Sequence, residues 1–161
     1  MPDTPSLNSR RPAPSPACER GPEATRCARD PASVAYEAFC TTHRPVYSRY
    51  AAARLGNDRL GEDAARVALR ALAPLWASAL TGPAPAAVSW LLLTGVVNAQ
   101  ARAGREPARG LLRIHADAVI LHDHLGLPRR TAAAAMGLPP QQFDMVHNAA
   151  LRATRTNEEK T

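Results

Sequence analysis

The chain has 161 residues, which is enough for one ordinary domain or two very small helical ones. Its net charge is +6, and nearly all of its positive side chains are arginines, whose guanidinium groups bind phosphate well. A composition rich in Ala, Arg, Pro and Gly is also typical of GC-rich codon usage. The charge therefore favours nucleic-acid binding only weakly. Because the longest apolar run, 90–93, is too short for a membrane span and no signal peptide is expected, we predict a cytoplasmic protein without a membrane partner.

The N-terminal residues 1–31 are predicted to be a disordered tail rich in Pro and Arg. This stretch has almost no large apolar side chain, so it cannot bury enough surface to offset the entropy lost on ordering. Two of the three cysteines, Cys18 and Cys27, lie in it, and the third is Cys40. The alternative is a Cys3His zinc site completed by His43, but no Cys-x-x-Cys is present, so we expect reduced thiols, no metal and no cofactor.

Three helices are predicted in an N-terminal helical domain, 32–104. Asp30-Pro31 is a start signal for the first, at 33–55, because Asp caps a helix and Pro suits its first turn. Pro45 is expected to kink or restart this helix, and Gly56 to end it.

The second predicted helix begins behind Asn57 or Asp58, either of which can cap it, and stops before Thr81. The third occupies about 85–104. Trp76 and Trp90 lie on the apolar faces of these two helices, so we interpret both as core residues rather than base-stacking ones.

A short linker, 105–110, is followed by a second helical set at 111–155, and 156–161 is expected to fray. The predicted helices of this set are 111–125, 129–136 and 140–154. No segment of the chain alternates with period two and β-branched residues are sparse, so strands are not predicted. The sequence therefore indicates an all-α protein made of two small helical domains.

The pattern at 126–152 is typical of a helix-turn-helix. The run of alanines at 132–135 allows close helix packing, Gly137 can adopt the left-handed conformation of a tight turn, and Pro139-Pro140 starts a new helix. Phe143, Val146 and Ala150 are predicted to share the buried face of the last helix.

The opposite face of that helix is the predicted DNA-reading surface. Gln and Asn side chains can pair with adenine, and Arg with guanine or phosphate. The predicted base-facing residues are Gln141, Gln142, Met145, Asn148 and Arg152. Arg129 and Arg130 are placed to contact phosphate. The spacing alone leaves a second interpretation open, namely a helical hairpin whose polar face is merely solvated.

Two blocks of the sequence, in the same order and together covering most of 34–152, resemble the extracytoplasmic-function sigma factors of bacterial RNA polymerase. The C-terminal block is 118–125 with the helix-turn-helix. The matching segments of the N-terminal block are Tyr36-Glu37-Ala38-Phe39, His43-Arg44-Pro45, Arg49-Tyr50-Ala51, Arg54-Leu55-Gly56, Glu62-Asp63 and Trp90-Leu91.

The resemblance implies a non-enzymatic initiation factor. Its N-terminal domain would bind the polymerase core and open the −10 element, and its last helix would read the −35 element. The implied polymerase contacts are Glu62, Asp63 and Arg66, and the implied −10 strand contacts are Asn98, Gln100 and Arg102. The implied partners are promoter DNA, RNA polymerase core and an anti-sigma or other regulator protein.

Departures from the family pattern support an alternative. Arg66 or Val67 stands where relatives carry an acidic contact, and the largely apolar stretch 93–97 replaces basic and polar residues. On the last helix, Asp144 and Val146 replace basic or polar residues. The linker is also short. These features favour a degenerate sigma paralogue that serves as a protein-interaction module and binds another regulator.

No metal site is predicted from the histidines of the second helical set. His122 and His124 are two residues apart, and such positions do not share a helix face. His115 and His147 have no partner that the sequence identifies. No pair of carboxylates and no Cys–His or Ser–His pair indicates an enzyme.

Overall fold

The computed structural model describes residues 30–82, 84–102 and 113–158, and all regular structure within these ranges is helical. The all-helical prediction is therefore confirmed for the described part of the chain. The helices are α1 Pro31–Leu55, α2 Asp58–Leu72, α3 Trp76–Thr81, α4 Pro85–Arg102, α5 Arg113–Val119, α6 Arg129–Met136 and α7 Pro140–Glu158. The predicted linker 105–110, and the predicted tail as far as residue 29, lie outside the described residues.

The ends of the first helices follow the predicted capping signals. The carboxylate of Asp30 accepts a hydrogen bond from the Ala32 backbone N–H at 3.3 Å, and the Asn57 side chain accepts one from the Leu60 N–H at 3.0 Å. Gly56 ends α1 in the left-handed conformation, with φ of 67°. α1 continues through Pro45, so the chain does not restart there.

The predicted single helix before Thr81 is wrong, because a 3₁₀ turn that contains Pro74 interrupts it. α2 ends at Leu72, a 3₁₀ turn covers Ala73–Leu75, and α3 follows. Pro74 lacks a backbone N–H and its ring would collide with the preceding helical turn, so an α-helix cannot pass through it without loss. The break allows the Trp76 indole N–H to donate to the Ala32 carbonyl at 2.9 Å.

The main hydrophobic core joins α1, α2 and α4 to the last three helices. From the N-terminal side it includes the buried aromatic residues Tyr47, Tyr50 and Trp90, and from the C-terminal side it is built largely on small residues of α6 and on Phe143. Trp76 belongs to a second cluster with Leu72 and Ala79. Both tryptophans are therefore core residues, as predicted.

The predicted helix 111–125 changes its winding along the described part of its length. Residues 111 and 112 lie outside the described ranges, α5 covers Arg113–Val119, and Ile120–His124 is a π-helical turn. The Leu125 N–H donates to the Ile120 carbonyl at 2.9 Å, five residues back, which is the hydrogen bond that defines this wider turn.

None of the described helices combines the length and the apolar character that crossing a bilayer requires.

Candidate nucleic-acid interface

The turn between α6 and α7 requires glycine for two separate reasons. Gly137 has φ of 67°, a left-handed conformation that places its N–H 3.1 Å from the Ala134 carbonyl. A Cβ atom at this position would also lie 2.2 Å from the backbone nitrogen of Ala87, in the first turn of α4. The turn is therefore fixed by its own conformation and by close contact with the N-terminal helices.

One face of α7 is buried against the rest of the molecule. Phe143 and Ala150 are fully buried, and Val146 is half-buried, in agreement with the predicted apolar face. His147 is also buried on this side, at 2% exposure, although no partner for it was predicted from the sequence. On α6, the buried residues facing this core are Ala132, Ala133, Ala135 and Met136.

The opposite face of α7 is open to solvent. Met145, at its centre, is 71% exposed, a high value for a large apolar side chain. The exposed residues of this outer face are the five of the predicted DNA-reading surface: Gln141, Gln142, Met145, Asn148 and Arg152.

The two arginines at the start of α6 are both exposed but have different surroundings. Arg129 Nη1 lies 3.0 Å from a carboxylate oxygen of Asp144, so the acidic residue on α7 forms an ion pair with it. Arg130 is exposed beside it. Asp144 is therefore partly neutralised, which reduces the repulsion it would exert on a nearby phosphate.

The three residues assigned to −10 strand contact lie along the C-terminal part of α4. Asn98 is half-buried and its side-chain oxygen accepts a hydrogen bond from Arg54 at 3.1 Å. Gln100 is exposed. Arg102 is the last residue of α4, and its side chain lies outside the described part of the structure.

The three residues assigned to polymerase contact lie on the surface of α2, where each has an ionic neighbour. Glu62 pairs with Arg44 of α1 at 2.9 Å. Asp63 pairs with Arg66 one turn further along α2. Surface pairs of this kind are weak, so an outside partner can replace them at little cost.

A polar cluster, which we call the joint, connects the N-terminal helices to α5. It consists of Tyr50, Arg54, Asn98 and Asp117. The Tyr50 hydroxyl donates to the Asp117 carboxylate, and Arg54 donates to the same carboxylate at 3.0 Å as well as to Asn98. Burial raises the pKa of Asp117, while the hydrogen bond from Tyr50 and the charge of Arg54 oppose that increase.

Two further hydrogen bonds cross between the helical sets beside the joint. The Tyr47 hydroxyl donates to the Ala135 carbonyl of α6 at 3.1 Å, and Arg49 donates to the Leu125 carbonyl at 2.9 Å. Tyr47 is fully buried, and burial raises its pKa to about 12. The joint was not predicted; the available signal was Asp117, an acidic residue directly before the apolar run 118–121.

Three side chains whose proximity was not predicted lie close together between the π-helical turn and α7. Potential ligand atoms of His122, Asp123 and His147 all lie within 4.8 Å of one another. His124 is exposed and lies outside this cluster. The contact within the cluster joins His147 Nε2 to a carboxylate oxygen of Asp123, 24 residues earlier in the sequence.

Comparisons with protein-family models, with curated proteins and with solved structures each found no match to this chain.

Proposed function

We propose that this chain is a sigma-factor-like DNA-binding protein that acts in transcription initiation or its regulation. In this proposal α6, the turn at Gly137 and α7 are a helix-turn-helix domain, and α1–α4 are an N-terminal domain that contacts RNA polymerase. The observation that carries it is the solvent exposure of the whole outer face of α7 while its other face is held in the core.

The chemistry of the outer face fits base edges in a major groove. Gln142 and Asn148 carry amides that can pair bidentately with adenine, and the exposed thioether of Met145 between them can contact a thymine methyl group. Arg152 can reach guanine or phosphate, and Arg130 is suited to phosphate. The small residues of α6 allow the two helices to approach as closely as such a domain needs.

In this proposal the joint affects the predicted contact with the −10 strand but not the reading of duplex DNA by α7. The α7 face is accessible with the two helical sets packed together. Asn98, in contrast, accepts a hydrogen bond from Arg54, so its predicted contact with a −10 strand requires Arg54 to release it. We propose that duplex reading by α7 needs no rearrangement and that strand contact by α4 does.

The direct test is selection of duplexes from a random pool by the full chain, followed by anisotropy titrations with the selected duplex. We expect Gln142→Ala to lose about 1–3 kcal/mol of binding free energy and the preference at one position. Arg152→Ala should weaken binding and flatten the dependence of log K on log salt by about 0.9 if it contacts one phosphate.

Arg59→Ala, an exposed arginine on α2, is the matched control and should leave the salt slope unchanged. The DNA-reading proposal is wrong if the full chain binds no duplex at low salt, or if Arg152→Ala and Arg59→Ala behave alike. Run-off transcription with purified polymerase core tests the initiation role separately.

A second candidate function is a protein-interaction module without polymerase activity. It is favoured by large apolar side chains exposed on α2–α4, most of all Leu91 at 72%, with Val67 and Leu80 near half exposure. A module of this kind would bind another transcription regulator through these helices. A chain that binds neither core polymerase nor DNA, but whose complex with a regulator is lost in Leu91→Asp, would support this candidate.

A further inference from the structure

We propose that His122, Asp123 and His147 form a binding site for a divalent transition-metal ion of the zinc type. The site would connect the π-helical turn to α7. This inference does not depend on DNA binding, because it concerns how the last helices are held and not what their outer face contacts.

The separations within the cluster are close to those that a bound ion needs. His147 Nε2 lies 2.9 Å from one oxygen of Asp123, and His122 Nε2 lies 4.0 Å from the other. Ligands about 2.1 Å from a tetrahedral ion are about 3.4 Å apart. Since the cluster's ligand atoms all lie within 4.8 Å of one another, small side-chain rotations bring them to that spacing.

His122 is already held in the tautomer that a metal requires. Its Nδ1 lies 2.8 Å from the Leu127 carbonyl oxygen, which can only accept a hydrogen bond. Nδ1 must therefore carry the proton, so in the neutral ring Nε2 presents a lone pair to the cluster. A backbone carbonyl that fixes the second ring nitrogen is the usual outer contact of a metal-binding histidine.

His147 is buried with its polar contact directed at the same point. Its ring is 2% exposed, and Nδ1 has no hydrogen-bond partner among the described residues. The hydrogen-bonding contact that the structure gives this ring joins Nε2 to Asp123. Nε2 therefore faces the carboxylate of the cluster, and coordination of an ion by Nε2 would leave the proton of the neutral ring on Nδ1.

The backbone winding is a second observation that points to the same place. π-Helical turns are rare and occur frequently at functional sites. This one spans Ile120–His124 and so contains both His122 and Asp123. Its exit passes through Gly126, with φ of 64°, to Leu127, whose carbonyl contacts His122.

The donor set defines the class of ion. Two imidazoles and one carboxylate suit Zn²⁺ and, with lower affinity, Co²⁺. The side chains of His122 and Asp123 are 28% and 40% exposed, which leaves the ion a route in and a fourth position open to water. The ion would link α7 to the preceding turn and stabilise the folded chain.

The test uses the tag-free full chain, stripped with chelator and titrated with Zn²⁺ by calorimetry and with Co²⁺ by visible absorption. We expect one ion per chain and, with free Zn²⁺ at about 100 times its Kd, a rise in Tm of about 5–10 °C. His122→Ala and Asp123→Asn should each weaken binding at least about 10-fold. Asp123→Asn keeps the size of the side chain, so it separates ligand loss from misfolding.

Two controls make the outcome decisive. His124→Ala removes an exposed neighbouring histidine outside the cluster and should bind like the parent chain. Replacement of Cys18, Cys27 and Cys40 by serine should also leave binding unchanged. The proposal is overturned if no one-to-one binding occurs, if His122→Ala binds as the parent does, or if binding is lost with the cysteines.

Discussion

The joint and the outer face of α7 are both rich in polar side chains, but their polar groups are satisfied in opposite ways. In the joint, Tyr50 and Arg54 donate to a buried carboxylate of the same chain. On α7, the amides of Gln142 and Asn148 face solvent. The difference indicates which polar residues serve folding and which are accessible to an outside partner.

This comparison can be tested because the two regions should respond differently to substitution. Changes in the joint should lower the free energy of unfolding, since they leave buried polar groups unpartnered. Changes on the outer face should leave that free energy nearly constant while they alter binding.

Asp117→Ala should cost about 3–5 kcal/mol of unfolding free energy, because it leaves Arg54 and the Tyr50 hydroxyl without their shared partner. Urea denaturation followed by circular dichroism measures this loss. Asp144→Ala removes the exposed partner of Arg129 and should cost less than about 1 kcal/mol. Equal losses in the two variants would contradict the structural role of the joint.

Gly137→Ala should cost about 3 kcal/mol, since the left-handed conformation and the collision with Ala87 both oppose the new Cβ atom. Gly126→Ala is the matched comparison. It has a similar φ of 64° but open space around the added atom, so only the conformational cost of about 1–2 kcal/mol applies. If the two variants unfold at the same urea concentration, the contact between the α6–α7 turn and α4 is not formed in solution.

His43 should make stability fall on acidification. Burial lowers its pKa below the ordinary value of 6.5, although a hydrogen bond to the Phe39 carbonyl opposes the change. At a pH between the pKa of His43 in the folded chain and its higher pKa in the unfolded chain, the unfolded chain binds a proton that the folded chain does not. The free energy of unfolding therefore decreases as pH falls below the pKa of the unfolded chain. His43→Gln should reduce the difference between unfolding free energies at about pH 7.5 and pH 5.5, and His124→Gln serves as the exposed control. A pH dependence that His43→Gln leaves intact would contradict this assignment.

The double variant Gln142→Ala, Asn148→Ala should unfold within about 0.5 kcal/mol of the parent chain, because both side chains are exposed. The same urea titration measures it. A loss of several kcal/mol would mean that the outer face of α7 is packed against the protein in solution.

Local signals explain most of what the sequence predicted correctly. The cap at Asp30, the left-handed turns at Gly56 and Gly137 and the bounds of α6 each depend on a few neighbouring residues. The break at Pro74 was missed although its signal is local, because Leu72, Leu75 and Trp76 continue a helical apolar spacing across it.

The joint and the histidine cluster depend on contacts that sequence spacing does not reveal. Arg54 and Asp117 are 63 residues apart, and Asp123 and His147 are 24 apart. The π-helical turn adds to this difficulty, since it shifts His122 and Asp123 away from the faces that a regular α-helix would give them. The roles of the outer-face residues stay predictions, because exposure alone does not identify what binds there.

Amide chemical-shift mapping of the full chain with a selected duplex tests the central claim most directly. We expect the largest shifts at residues 141–152 of α7 and at Arg130, with the joint residues Tyr50 and Asp117 nearly unchanged. Shifts concentrated on α2 or α4, with α7 unaffected, would contradict the assignment of the outer face of α7 as the DNA-reading surface.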